Sequence, residues 1–330
     1  MQKNATLPNM KGSVFCFMGL IVACAIASGL PSFGLAANAQ QAAQPAREHE
    51  ELGDHELTSK NLTETVKEFH TALSLNPNSV AAHVGLGVAL QETGDVVGAV
   101  TQFQKAIQLD PRDAAAHYHL GVAFGREGNL NEAKAELVET LKLKPDSAEA
   151  HYTLGLLLVD WPYPKDFAGA VKQFEEALKY KANFPEAHEE LGEVFLTLGD
   201  WDAALAQFRA AIRLKPAFPE AYCGIGLALK RKGDLPGAFE AYRAALRLRP
   251  EDGEAHYELG LVFMREKKLD EAIAEFREAN KLRPGHERSY YDLGRALSLK
   301  GRTQAAKVEF QKARDLQSQQ IEETGQAIQL

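Results

Sequence analysis

The sequence predicts an all-α chain built as a stack of helix–turn–helix units. Three observations carry this. A Leu-Gly or Ile-Gly pair recurs at a nearly fixed spacing. Bulky and small residues keep constant offsets from each pair. A proline closes most of the units.

The first element, residues 1–39, precedes the stack. Lys3 and Lys11 come before an apolar run over residues 14–30, followed by Ala37-Asn38-Ala39. A positive start, an apolar stretch and an Ala-x-Ala site read as a secretory signal cut after Ala39. Two other readings stay open. The run falls within the roughly 17–25 residues that span a bilayer, so it serves equally as an uncleaved anchor. Ile21-Val22-Ala23-Cys24 has the pattern of a lipoprotein signal lipidated at Cys24, although apolar residues continue to Leu30. All three place the body across a membrane, exported to a periplasmic or secreted location. Membrane contact is expected through this N-terminal segment alone. The Gln/Ala/Pro-rich residues 40–45 read as a flexible lead-in.

The stack follows. Glycines of the recurring pairs stand at 53, 87, 121, 155, 192, 226, 260 and 294, at spacings of 34 except for one of 37. Sixteen residues after most of them comes a bulky side chain, as in Phe69, Phe103, Leu137, Phe208, Tyr242, Phe276 and Phe310. A small residue follows three later, and proline comes five after that in six units. Offsets of three and four share one helical face. Gly-Asp, as in Gly94-Asp95, Gly199-Asp200 and Gly233-Asp234, ends one helix and starts the next. The late proline ends the second helix. Ser79, Asp113, Ser147 and Asp252 stand at N-cap positions of the following unit. Pro185 and Pro219 suit a first helical residue.

The period, the small residues and the prolines together resemble the tetratricopeptide repeat (TPR) family. The resemblance covers residues 46–320 as eight units: 46–79, 80–113, 114–147, 148–184, 185–218, 219–252, 253–286 and 287–320. It implies a right-handed superhelical solenoid with a concave groove. Residues 321–330 read as a polar capping helix or tail, since a solenoid needs a polar end. The first unit departs from the pattern with Thr65 in place of alanine and a very polar first helix, which reads as a frayed cap. The fourth carries three extra residues near Trp161-Pro162-Tyr163-Pro164, and Ala182 replaces its proline.

Composition sets limits on function. The formal net charge is −8, and beyond residue 39 it is −10. No basic stripe is evident in such a chain, so no nucleic-acid partner is expected. Cys223 is the single cysteine beyond the N-terminal segment, which leaves no internal disulfide and no zinc spacing. Six histidines share one repeat position: His49, His83, His117, His151, His188 and His256, with Tyr222 and Tyr290 completing the series. Stacked repeats lie too far apart for one ion to bridge two of these rings, given zinc–nitrogen bonds of about 2 Å. The position reads as packing between adjacent helices. Gly85-x-Gly87 and Gly224-x-Gly226 fall inside helices, whereas phosphate loops follow strands. No catalytic motif is present, and no enzyme activity, cofactor or metal is expected.

In the family, the first helices line the concave face at positions three before and one after the glycine. Carried onto this chain, the expected peptide-binding groove includes Tyr118, Val122, Tyr152, Leu156, Glu189, Glu193, Tyr257, Leu261 and Tyr291. Lys and Asn, which grip a partner's carboxylate in some relatives, are absent from those positions. Glu186, Glu189, Glu190 and Glu193 favour a basic segment in the partner. Trp161 and Tyr163 form a possible second contact. The expectation is a protein-interaction scaffold that holds a peptide or protein outside the cytoplasm. The alternative is a membrane-tethered or lipidated subunit of an envelope assembly or biogenesis complex.

Overall fold

A computed structural model describes residues 33–59, 61–161 and 165–327. The apolar run over 14–30 and Tyr163 lie outside these residues. The described residues form sixteen α-helices and no strand. None of these helices is long and apolar enough to cross a membrane.

The chain divides into two compact units, meeting between Asp166 and Phe167. The first contains α1 (Phe33–Ser59), α2 (Leu62–Leu75), α3 (Val80–Thr93), α4 (Val96–Leu109), α5 (Ala114–Glu127), α6 (Leu130–Leu143) and α7 (Ala148–Asp160). The second contains α8 (Phe167–Tyr180), α9 (Pro185–Leu198), α10 (Trp201–Leu214), α11 (Pro219–Lys232), α12 (Leu235–Leu248), α13 (Gly253–Arg265), α14 (Leu269–Leu282), α15 (Glu287–Leu299) and α16 (Thr303–Ala327). The boundary falls within the fourth repeat, after the extra residues at Trp161. Inside each unit, every helix packs on the one before and the one after it. This is the tetratricopeptide arrangement of stacked helical hairpins.

The turns follow from residue chemistry. Gly94, Gly128, Gly199, Gly233 and Gly301 end first helices in the left-handed region, with φ between 77° and 92°. Glycine enters that region without a Cβ penalty. In the seventh repeat Lys267 takes the same place at φ 62°. Asp95, Asp200 and Asp234 then cap the second helices, each accepting from the backbone N–H three residues on. Ser79, Asp113, Ser147 and Asp252 cap first helices in the same manner.

The core explains the fixed glycines. In six repeats the aromatic ring of the second helix lies against first-helix glycines, and in the third Leu137 takes the place of the ring against Gly121. A Cβ added at Gly192 would stand 2.7 Å from the Phe208 ring, and one added at Gly224 would stand 2.4 Å from it. Phe69 sits likewise between Gly53 and Gly85. Both rings are fully buried. Each contributes on the order of 2–3 kcal/mol by leaving water.

The aligned histidines do more than pack. His83 bonds through Nδ1 to Gln102 at 2.8 Å and donates from Nε2 to the Pro77 carbonyl at 3.1 Å. His117 and His256 repeat this with Glu136 and Glu275 at 2.6 Å, and with the Pro111 and Pro250 carbonyls at 3.1 Å. His188 bonds to Gln207 at 2.7 Å, and His49 to Glu68. One ring thus joins its own second helix to the end of the preceding repeat. Three ion pairs also close hairpin bases in the second unit: Glu186 with Lys215, Glu220 with Arg249 and Glu254 with Arg283.

Two expectations require correction. Residues 40–45, read as a flexible lead-in, lie inside α1. The Ala- and Gln-rich stretch favours helix, and Pro45 is accommodated within it. The polar first helix is not a frayed end: α1 packs against both α2 and α3, with Ala46 and Gly53 buried. At the other end, α16 continues unbroken past residue 320 to Ala327.

Candidate functional site

Within the first unit, α3 touches α5 and α5 touches α7, whereas α2, α4 and α6 make no mutual contact. Within the second, α9, α11, α13 and α15 touch in succession, whereas α10, α12 and α14 do not. In each unit the first helices therefore crowd together on an inner face, and the second helices splay on an outer one.

In the first unit the inner face carries Tyr118, Tyr152 and Leu156, all half-buried, and Val122, which is buried. The Tyr118 hydroxyl lies 3.4 Å from Thr153 Oγ1 in the next repeat. Burial raises its pKa. His119 stacks on Phe103 at 5.6 Å and meets Tyr118 edge-on at 5.2 Å. Burial, aided by Arg126, pushes its pKa down to about 4, so the ring stays neutral. Trp161 is half-buried, and Lys134 Nζ lies 5.0 Å above its ring. Trp161 is therefore already engaged by its own unit.

In the second unit the inner face is acidic at its start and polar-aromatic further on. Glu189 is half-buried on α9, and Glu193, one turn along, is exposed. Burial, together with the charges of Glu190, Glu193, Glu220 and Glu186, pushes the Glu189 carboxyl up to about 9. Cys223 is half-buried on α11, and its thiol is pushed up to about 12, chiefly by burial. A thiol held protonated at neutral pH is a poor nucleophile.

Tyr257, expected to line the groove, is 8% exposed. Its hydroxyl donates to Asp292 Oδ2 of the next repeat at 3.0 Å. It joins two repeats and presents little surface to a partner. Leu261 is half-buried. Tyr291 is 52% exposed and lies 5.4 Å from the Phe310 ring, so it is the open aromatic of this face. Sequence reasoning missed the buried pair of Lys230 with Glu258, which also accepts from the Tyr242 hydroxyl at 3.3 Å.

The fold and the repeat register agree with what known families show. Models described as tetratricopeptide repeat match residues 114–147, 223–287 and 287–320, and a TPR repeat model matches 92–128 and 193–233. The chain is a tetratricopeptide repeat protein. Among solved structures, this TPR chain is similar to the APC/C hetero-tetramer Cut9-Hcn1, with 18% identity and a TM-score of 0.58. That match covers 71% of this chain and 48% of the other. Pseudomonas aeruginosa pilF gives 21% identity and a TM-score of 0.58, covering 64% of this chain and 94% of pilF. At these identities the likeness concerns the fold alone. No curated protein matches the sequence. TPR proteins are generally non-enzymatic scaffolds for protein–protein interaction, and this chain has their fold.

Proposed function

We propose that this TPR protein is an extracytoplasmic scaffold whose inner faces hold a partner polypeptide, with the acidic face of α9 receiving a basic segment. The observation that carries this is the gathering of Glu186, Glu189, Glu190 and Glu193 on the single helix α9, a concentration of carboxylates that, with burial, raises the Glu189 carboxyl. Like charges gathered at one place cost stability, and sites that break a folding rule are where function is expected. A lysine or arginine from a partner would let Glu189 ionise and offset that cost. Tyr291 supplies an exposed ring on the same unit, and tyrosine is favoured at interface hot spots. On the first unit, Tyr118, Val122, Tyr152 and Leu156 form a more apolar face for the same purpose.

The extracytoplasmic location is supported by Lys3, Lys11, the apolar run and Ala37-Asn38-Ala39. The length of the run and the Ile21-Val22-Ala23-Cys24 pattern favour a second reading, a tethered or lipidated subunit of an envelope complex. The mass of the exported protein separates the two: a start at Gln40 gives a free scaffold, and a diacylated Cys24 or an intact N-terminus gives a tethered one.

The binding test compares capture from an envelope extract by the wild type and by the Glu189→Gln/Glu193→Gln variant. A partner retained by the wild type, and lost by the variant at equal helicity, supports the acidic face. Equal capture refutes it.

A further inference from the structure

Along the second helices of the second unit, cations recur at one pair of repeat positions, with Asp202, Glu240, Asp270 and Glu271 also exposed on the same helices. Helices α10, α12 and α14 each expose two cations four residues apart: Arg209 and Arg213, Arg243 and Arg247, Arg277 and Lys281. Residues four apart lie on one side of a helix. The 34-residue period repeats the pair on three successive outer helices. Among the described residues, Arg209, Arg213, Arg247 and Arg277 have no acidic group within ion-pair distance. Lys281 pairs with Glu278, and Arg243 lies 5.3 Å from the Phe239 ring centre.

The pattern is local. The corresponding positions of α4 hold Gln104 and Gln108, and those of α16 hold Gln311 and Asp315. Arginines near a helix C-terminus ease the helix dipole, which accounts for Arg213 and Arg247. It does not account for Arg209, Arg243 and Arg277, which stand about a turn earlier. Four arginines without an ion-pair partner stand out in a chain of net charge −8.

We infer that this outer face is a docking surface for an anionic phospholipid membrane. Guanidinium groups match phosphate with paired hydrogen bonds. Leu214 and Leu248, directly after Arg213 and Arg247, are 40% and 43% exposed. Apolar side chains beside cations suit the boundary between headgroup and acyl chain. A single nucleic-acid strand would need a groove with rings to stack its bases. Here the second helices splay apart, and Phe239 is already covered by Arg243. Docked in this way, the unit turns Glu189 and Glu193 away from the lipid and towards an incoming partner.

The test uses the full chain with vesicles of phosphatidylcholine alone or mixed with phosphatidylglycerol. The apolar run over 14–30 is able to hold the chain on either vesicle, so the readout is the difference between the two. Phenylglyoxal modifies accessible arginines, and mass spectrometry locates the products. Arg209, Arg213, Arg247 and Arg277 are expected to be protected on the anionic vesicles, unprotected on the neutral ones, and released at high salt. Changing these four to glutamine removes roughly fivefold in affinity per charge, on the order of a hundredfold or more together. Equal modification on both vesicles overturns the proposal. So does protection by DNA, RNA or an acidic polypeptide without protection by anionic lipid. The wild-type footprint decides the matter even if the fourfold variant folds poorly.

Discussion

Replacing Gly224 by alanine tests whether the repeat glycines are fixed by a ring and not by a turn. In an open helix, Gly→Ala stabilises by roughly 0.5–1 kcal/mol. At Gly224 the new Cβ would stand 2.4 Å from Phe208 Cζ, closer than carbon atoms approach. The ring has no retreat, because a Cβ at Gly192 on its other side would already be 2.7 Å away. Overpacking of this kind costs about 1–3 kcal/mol. The net expectation is a loss of about 1–2 kcal/mol, read from the urea midpoint by circular dichroism. Gly125 is the internal control. A Cβ added there meets nothing nearer than Ala133 Cβ at 3.9 Å, so Gly125→Ala should stabilise. Adding Phe208→Leu to Gly224→Ala should cost less than the two single changes together, since the shorter side chain relieves the clash. If Gly224→Ala stabilises as Gly125→Ala does, the ring explanation is wrong.

Three other outcomes are expected. Lys267→Gly should raise stability by about 1 kcal/mol, because it removes the left-handed backbone cost from a non-glycine residue at φ 62°. An unchanged melting temperature would count against that strain. The His256 pKa is raised above its ordinary 6.5, first by its bond to Glu275. Its stabilisation is therefore complete below pH about 6.5 and fades as pH rises through the folded value. His119, lowered to about 4, acts in the opposite sense: its contribution is present above 6.5 and is lost as pH falls towards 4. Melting curves against pH for His256→Gln and His119→Gln should diverge from the wild type on these opposite sides. Glu189 is an acid raised from 4.5 to about 9, so its contribution is lost as pH climbs between those values. Glu189→Gln should thus stabilise the free protein at neutral pH, on the order of 1 kcal/mol, while weakening partner capture. A destabilised variant would refute the reading of a strained acidic face.

The hairpins, their caps and the glycine seats were legible in the sequence, because each depends on residues within one 34-residue period. Gly94-Asp95 shows both ends of a turn in two letters. The histidine bonds have a readable trace in the sequence. Glu68, Gln102, Glu136, Gln207 and Glu275 each stand nineteen residues after an aligned histidine. The state of the inner faces was much less legible. Tyr118 and Tyr257 occupy the same repeat position, yet the first is half-buried beside Thr153 and the second is closed over by Asp292. Each outcome is set by a side chain 35 residues away in the next repeat. The raised Glu189 carboxyl likewise depends on Glu220 from α11, the first helix of the next repeat. Position within a period identifies which helix face a residue is on. It does not identify the neighbour that the stacking brings over it.

The histidine that reaches both ways has a consequence for how such a chain can lengthen. One end of its bonding lies six residues back, on a proline carbonyl, and the other nineteen residues ahead. Both offsets fit inside one period. A tandem duplication of 34 residues, cut at any phase, would therefore create a new unit with both bonds already available at each junction. An insertion of any other length between a histidine and its partner would break a bond or require a loop to absorb the excess. Growth by whole periods is built into the wiring, independent of which face later acquires a partner.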